Sequence, residues 1–213
     1  MSCFDLEYIY NKYNINARGI IHIGAHTGEE KNLYDKLNIK NTTIWIEANP
    51  DLIISLKNNV KNDIVINEVI SDKEETVKFY ITKNLEDDNN KQSSSLKQLD
   101  YHLIAHPSVI LDKEIIVNTI TMNKLLSKYN IDITKYNFLN IDTQGNELEV
   151  LKGFGNILLK IDYIYTEINI KNLYKNIALL DEIDNFLNKF GFKRVDTSIH
   201  EEEGWGQGFY FRI

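Results

Sequence analysis

Five apolar runs rich in β-branched residues punctuate this chain, at positions 19–23, 42–47, 64–69, 136–141 and 163–168, and segments with helical spacing separate them. Strands that are apolar nearly throughout are buried on both faces, and helices between them supply the cover. The alternation therefore predicts an α/β fold: a mostly parallel, Rossmann-like sheet with helices on both sides. Asn49-Pro50-Asp51 reads as a capped helix start, and that helix runs to about Val60. A shorter helix follows Thr121 through Leu125 and Leu126, and positions 179–190 form an amphipathic helix. Val77, Phe79 and Ile81 alternate with Lys78 and Tyr80, as in a half-exposed strand, while 192–196 with 209–212 read as a C-terminal antiparallel hairpin. The sheet is thus expected to be mixed. Residues 83–105 are polar and lack Gly and Pro, and they are expected to form the longest loop, a lid over the site.

The 213 residues suit one full-sized core, expected over 19–213, with 1–18 as an N-terminal helical cap in which Phe4, Tyr8 and Ile9 cover the site. Lys and Arg number 24 against 31 Asp and Glu, a net charge of −7 that repels a phosphate backbone and argues against nucleic acid as a partner. Much of that acidity sits in Glu86-Asp87-Asp88 and Glu201-Glu202-Glu203, which read as solvated loops. A lone cysteine, Cys3, and the absence of any apolar run of about 20 residues point to a cytoplasmic protein without membrane insertion.

The first strand runs into Gly24-Ala25-His26-Thr27-Gly28-Glu29-Glu30, which opens a helix. A glycine turn between a buried strand and a helix lets a ligand approach the backbone without meeting a Cβ. The spacing lacks the central glycine of the dinucleotide fingerprint, which weakens a dehydrogenase reading. Glu47 ends the next strand, where a carboxylate can accept two hydrogen bonds from a ribose diol.

The block Tyr136-Asn137-Phe138-Leu139-Asn140-Ile141-Asp142-Thr143-Gln144-Gly145-Asn146-Glu147, continuing through Leu151-Lys152-Gly153, closely resembles the signature of FkbM-family methyltransferases. The likeness extends from about Gly19 through His22-Ile23-Gly24-Ala25, Glu47-Ala48-Asn49-Pro50, the 67–72 segment, Ser93-Ser94-Ser95-Leu96 and Glu167. It implies a class I methyltransferase fold that binds S-adenosylmethionine across the carboxyl ends of the strands and methylates hydroxyls of sugars, glycans, sugar nucleotides or other small molecules. Carried over by position, it implies cofactor contacts from His22, Gly24, Ala25, His26 and Gly28, from Glu47 and Asn49 near the ribose, from Asn67, Val69, Ile70 and Ser71 near the adenine, and from Asp142 and Gln144. Asn140 stands where the family often has Lys.

Methyl transfer to a hydroxyl needs a positioned oxygen and a group to take its proton. Asp142 and Glu167, at the ends of neighbouring strands, are the candidate catalytic pair, and two close carboxylates either raise a pKa or offer oxygen ligands to a divalent ion. Ser94, Ser95, Tyr101, Gln144, Glu147, His200 and Trp205 are the candidate acceptor contacts, and His102 and His106, flanking the lid, are alternative bases. Two other readings stay open: an NAD-dependent oxidoreductase or epimerase, supported by the turn and Glu47, and a non-catalytic nucleotide-binding module.

Overall fold

A computed structural model describes residues 6–39, 43–86 and 92–213. Phe4, Cys3, Thr42 and Asp87-Asp88 lie outside the described residues.

The five apolar runs become β1 (Ile20–Ile23), β2 (Thr43–Glu47), β3 (Ile64–Asn67), β7 (Phe138–Ile141) and β8 (Tyr163–Asn169). Every residue of β1, β2, β7 and β8 is buried, so their lack of alternation follows from cover on both faces. The hairpin is longer than the sequence suggested, with β9 (Phe192–His200) and β10 (Trp205–Arg212). The seven-stranded sheet has the order β3-β2-β1-β7-β8-β10-β9, and only β10 is antiparallel to its neighbours. This is the doubly wound order with a reversed strand slotted in before the last, and its switch point lies beside β1.

Helices α2 (Lys31–Lys36), α3 (Ile53–Val60), α5 (Met122–Lys128), α6 (Glu147–Phe154) and α7 (Leu180–Asn188) belong to the connections. As expected, the Asn49 side chain caps the turn before α3 by accepting from the Asp51 N–H at 3.1 Å, although Pro50–Leu52 is a 3₁₀ turn. Two large apolar clusters, one with Ile21, Leu139, Ile164 and Leu151 and the other with Trp45, Phe138, Tyr163 and Phe209, and a smaller one of Leu173, Tyr174 and Ile177 form the core among the described residues.

Two expectations change. The run 64–69 is not one strand: β3 stops at Asn67, whose amide donates to the Glu47 and Ala48 carbonyls, and Val69–Ile70 begins a second sheet as β4. That sheet, β4-β6-β5, holds β5 (Thr76–Asn84) and a twelve-residue strand, β6 (Val109–Ile120), so the half-exposed strand belongs to it and not to the main sheet. Within the expected loop, Ser95 pairs with Tyr80, Leu99 with Tyr174, and α4 (His102–Ala105) folds.

The N-terminal helix α1 (Leu6–Lys12) buries Leu6 and Ile9 in the cluster that holds Tyr163 and Phe209, while Tyr8 is exposed. Lys12 pairs with Asp196 and the Tyr13 hydroxyl donates to the Val195 carbonyl. This helix covers the back of the sheet beside the hairpin, and among the described residues none from it lines the site cavity.

Candidate active site

The carboxyl ends of β1, β2, β7 and β8 open into one cavity of ≈ 420 Å³ whose other walls come from the second sheet and α4. Its floor is the Gly24 turn. Gly24 has φ +82°, and a Cβ there would sit 1.6 Å from the Asp142 carbonyl oxygen, so only glycine lets the ends of β1 and β7 meet. Glu47, buried at the end of β2, accepts from the His26 N–H at 2.8 Å through Oε2 and from the Asn49 N–H at 2.7 Å through Oε1. Burial pushes its pKa up to about 7 against the pull of those two N–H groups. Each oxygen keeps a lone pair for a ligand.

Asp142 follows β7 and Glu167 lies within β8. The Gln144 amide bridges them, Nε2 donating to Asp142 Oδ1 at 2.6 Å and to Glu167 Oε2 at 2.9 Å. The Tyr174 hydroxyl donates to Gln144 Oε1 and the Ser95 hydroxyl to the Gln144 carbonyl at 2.6 Å, which fixes the amide's orientation. Burial raises the pKa of both carboxyls, and the charges of nearby Asp142 and Glu147 raise Glu167 further, well above the usual range. An N–H₂ group aimed at both carboxyls does not gather them around a cation, and among the described residues no set of three His, Cys, Asp or Glu is placed to hold a metal ion.

His22 is buried in the cavity wall; its Nδ1 meets the Tyr34 hydroxyl at 3.1 Å, and that hydroxyl accepts from Asn140 Nδ2 at 2.7 Å. Burial lowers the pKa of His22 to about 4. The departure at Asn140 thus leaves a neutral His22–Tyr34–Asn140 chain beneath the site. His26, at φ +45°, meets Glu29 at 2.5 Å; burial opposes its charge, but Glu29 outweighs that and raises its pKa. On the far wall, the His102 and His106 rings pack at a tilt of 49° with centroids 4.8 Å apart, and burial followed by the His106 charge brings His102 down to about 4.

Of the residues singled out in the sequence, His22, Gly24, Ala25, His26, Glu47, Val69, Ile70, Ser94, Asp142, Gln144, Glu167 and Trp205 line this one cavity, as do His102 and His106. The others stand behind the wall. A Cβ on Gly28 would meet Val60 and Leu56, so Gly28 serves helix packing. Asn49 caps the turn before α3, Asn67 secures the end of β2, and Ser71 is buried with its N–H on the Ile120 carbonyl. Ser95 holds Gln144, Tyr101 packs beside Leu173 and Tyr174, and His200 stacks on Trp205 at 4.9 Å. Glu147, expected at the acceptor, is buried and accepts from the Thr143 and Gly145 N–H groups, closing the turn that presents Gln144. Sequence reasoning passed over Glu29, Glu30, Glu68, Phe79, Asn84 and Val109, which also line the cavity. The last three lie on or beside strands of the second sheet, and nothing in their spacing announced that sheet's position.

A doubly wound sheet with its ligand cavity at the switch point, floored by a glycine turn and walled by strand-end carboxylates, has the form of a Rossmann-like methyltransferase. The family model for the methyltransferase FkbM domain matches residues 22–194, and the chain belongs to that family. Similar folds occur in the proposed tRNA (m1A22) methyltransferase Sp1610 of Streptococcus pneumoniae (TM-score 0.52, 14% identity, covering 100% of this chain and 71% of that one). Magnesium protoporphyrin IX methyltransferase ChlM of Synechocystis PCC 6803, solved with bound SAM, is also similar (TM-score 0.51, 7% identity, covering 97% of this chain and 75% of that one). No curated protein matches the chain. No helix among the described residues is long and apolar enough to cross a membrane.

Proposed function

We propose that this methyltransferase uses S-adenosylmethionine and methylates a hydroxyl oxygen of a small polar acceptor, a sugar or glycan. The observation that carries the reading is the union in one cavity of the Gly24 turn, the ribose-suited Glu47 and the Asp142–Gln144–Glu167 cluster. Both structural neighbours named above have been solved with S-adenosylmethionine, ChlM in the structure described and Sp1610 in a further structure of its complex. The cofactor supplies a methyl group on a sulfonium. Glu47 would take the ribose hydroxyls, Gly24 and Ala25 would hold the methionyl part, and Val69 and Ile70 would hold the adenine. Asp142 and Glu167 take up the proton of the acceptor hydroxyl, which must leave as oxygen attacks.

The acceptor side favours an uncharged polar molecule. Six carboxyl residues line the cavity, Glu29, Glu30, Glu47, Glu68, Asp142 and Glu167, and no Lys or Arg lines it among the described residues. Such a wall repels phosphate, which speaks against nucleic acid and against sugar nucleotides. Trp205 and Phe79 offer apolar faces for a sugar ring, with Asn84, Ser93 and Ser94 as polar neighbours.

Methyl-labelled S-adenosylmethionine incubated with a panel of neutral glycosides, amines, sugar nucleotides and RNA tests the reading. Label recovered as a methyl ether on a glycoside supports it. Label recovered only on nitrogen, or only on RNA, overturns it.

A further inference from the structure

We propose that Asp142 and Glu167 share one proton, that this proton leaves when a positively charged methyl donor binds beside them, and that the acceptor hydroxyl replaces it during transfer. The inference rests on the S-adenosylmethionine reading given above and adds a charge-coupled proton cycle to it.

The geometry favours a shared proton. Both carboxyls point an oxygen at the same Gln144 N–H₂ group, 2.6 and 2.9 Å from its nitrogen, which holds the two side by side. Glu167 is 3% exposed, and its second oxygen accepts only a neutral amide, Asn169 Nδ2 at 3.2 Å. Among the described residues, no Lys or Arg lines the cavity that the pair faces. His22 and Glu30 act on Asp142 from β1 and the start of α2, and Glu147 and Tyr174 act from the turn after β7 and the segment beyond β8. His22 is itself held neutral by burial down to about pH 4. Two neighbouring carboxyls, Glu167 buried and Asp142 partly buried in the cavity wall, with no cation beside them among the described residues, do not both ionise; one keeps its proton, as in other close carboxyl pairs.

A sulfonium brought to this pair supplies the missing positive charge and favours double ionisation, so the proton is expelled. The pair is then a strong acceptor beside the reacting atoms. During transfer the hydroxyl oxygen forms a bond to the methyl carbon, the carbon–sulfur bond breaks with its electrons going to sulfur, and the hydroxyl proton passes to the pair. The sulfur ends neutral, the pair ends singly protonated, and the charge in the cavity is the same before and after. The neutral product no longer holds the pair doubly ionised, which eases its release.

S-adenosylmethionine and S-adenosylhomocysteine differ by one methyl group and one positive charge, so calorimetric titration of each, without acceptor, isolates the effect. Measured in buffers of different ionisation enthalpy near pH 7, the charged ligand is expected to release about one proton more than the neutral one. Its affinity advantage should then grow by up to about tenfold per pH unit. In Glu167→Gln, which keeps the shape and removes the shared proton, the difference should vanish while S-adenosylhomocysteine still binds. Equal proton release by the two ligands in the wild-type protein overturns the proposal and leaves the cofactor reading intact. Failure of both ligands to bind overturns the cofactor reading itself.

Discussion

At Glu47 one side chain does two jobs: it ends β2 by receiving the His26 and Asn49 N–H groups, and it leaves acceptor capacity facing the cavity. Glu47→Gln keeps the size but replaces one oxygen by a donor, so one backbone N–H loses its partner and, on the function proposed above, a bound ribose would lose an acceptor. Hydrogen bonds to charged groups are worth about 1.5–3 kcal/mol, so S-adenosylhomocysteine affinity should fall roughly 10- to 100-fold by calorimetry. Gly24→Ala should do worse. A Cβ placed 1.6 Å from the Asp142 carbonyl forces β1 and β7 apart, and the variant is expected to be insoluble or to show no ligand-dependent rise in melting temperature. The cavity-facing position of both was legible because each stands where a buried strand ends, one as a glycine and the other as an acid. Gly28 and Glu147 sit in the same motifs and were misplaced, because spacing states which residues are close to a turn but not which side of it they face. Gly28 faces Val60, and Glu147 folds back onto the turn itself.

The turn between β7 and α6 shows how an element makes the site. Gln144 and Gly145 both take positive φ, 57° and 97°, and Glu147 receives the Thr143 N–H and hydroxyl and the Gly145 N–H that this conformation turns inward. Glu147→Ala strands those donors, and a destabilisation of about 1–3 kcal/mol is expected in urea unfolding, with weaker cofactor binding because Gln144 loses its seat. The main sheet was legible in the sequence, since strands buried on both faces are apolar throughout. β6 was not. Only its ends are buried, Asp112-Lys113-Glu114 interrupts its apolar residues, and its partner β5 lies 25 to 42 residues earlier, in register from Asn84–Val109 to Thr76–Asn118. A strand buried only at its two ends, with its middle exposed, leaves no periodic trace.

Across the whole molecule the buried carboxyls set the response to pH. Glu47 and Glu147 both ionise near pH 7 in the folded chain because burial disfavours their charge, and Glu167 ionises higher still. In the unfolded chain they lose their protons near 4–4.5. The native state thus holds more protons between these limits, and the stability they contribute is fully present below about pH 4 and is lost as pH rises through 7. His22 and His102, lowered to about 4, act in the opposite sense, but only until the unfolded imidazoles have lost their protons near 6.5. The ligand-free protein should therefore melt at a lower temperature at pH 8 than at pH 6, and a flat profile over that range would contradict the burial of these groups. Thermal unfolding with S-adenosylhomocysteine or NAD, each at about 100 times its dissociation constant or at the limit of solubility, tests the account most directly. A ligand bound only to the native state then adds about 2.7 kcal/mol. The account predicts a clear rise in melting temperature with S-adenosylhomocysteine and none with NAD; a rise with NAD alone would contradict it.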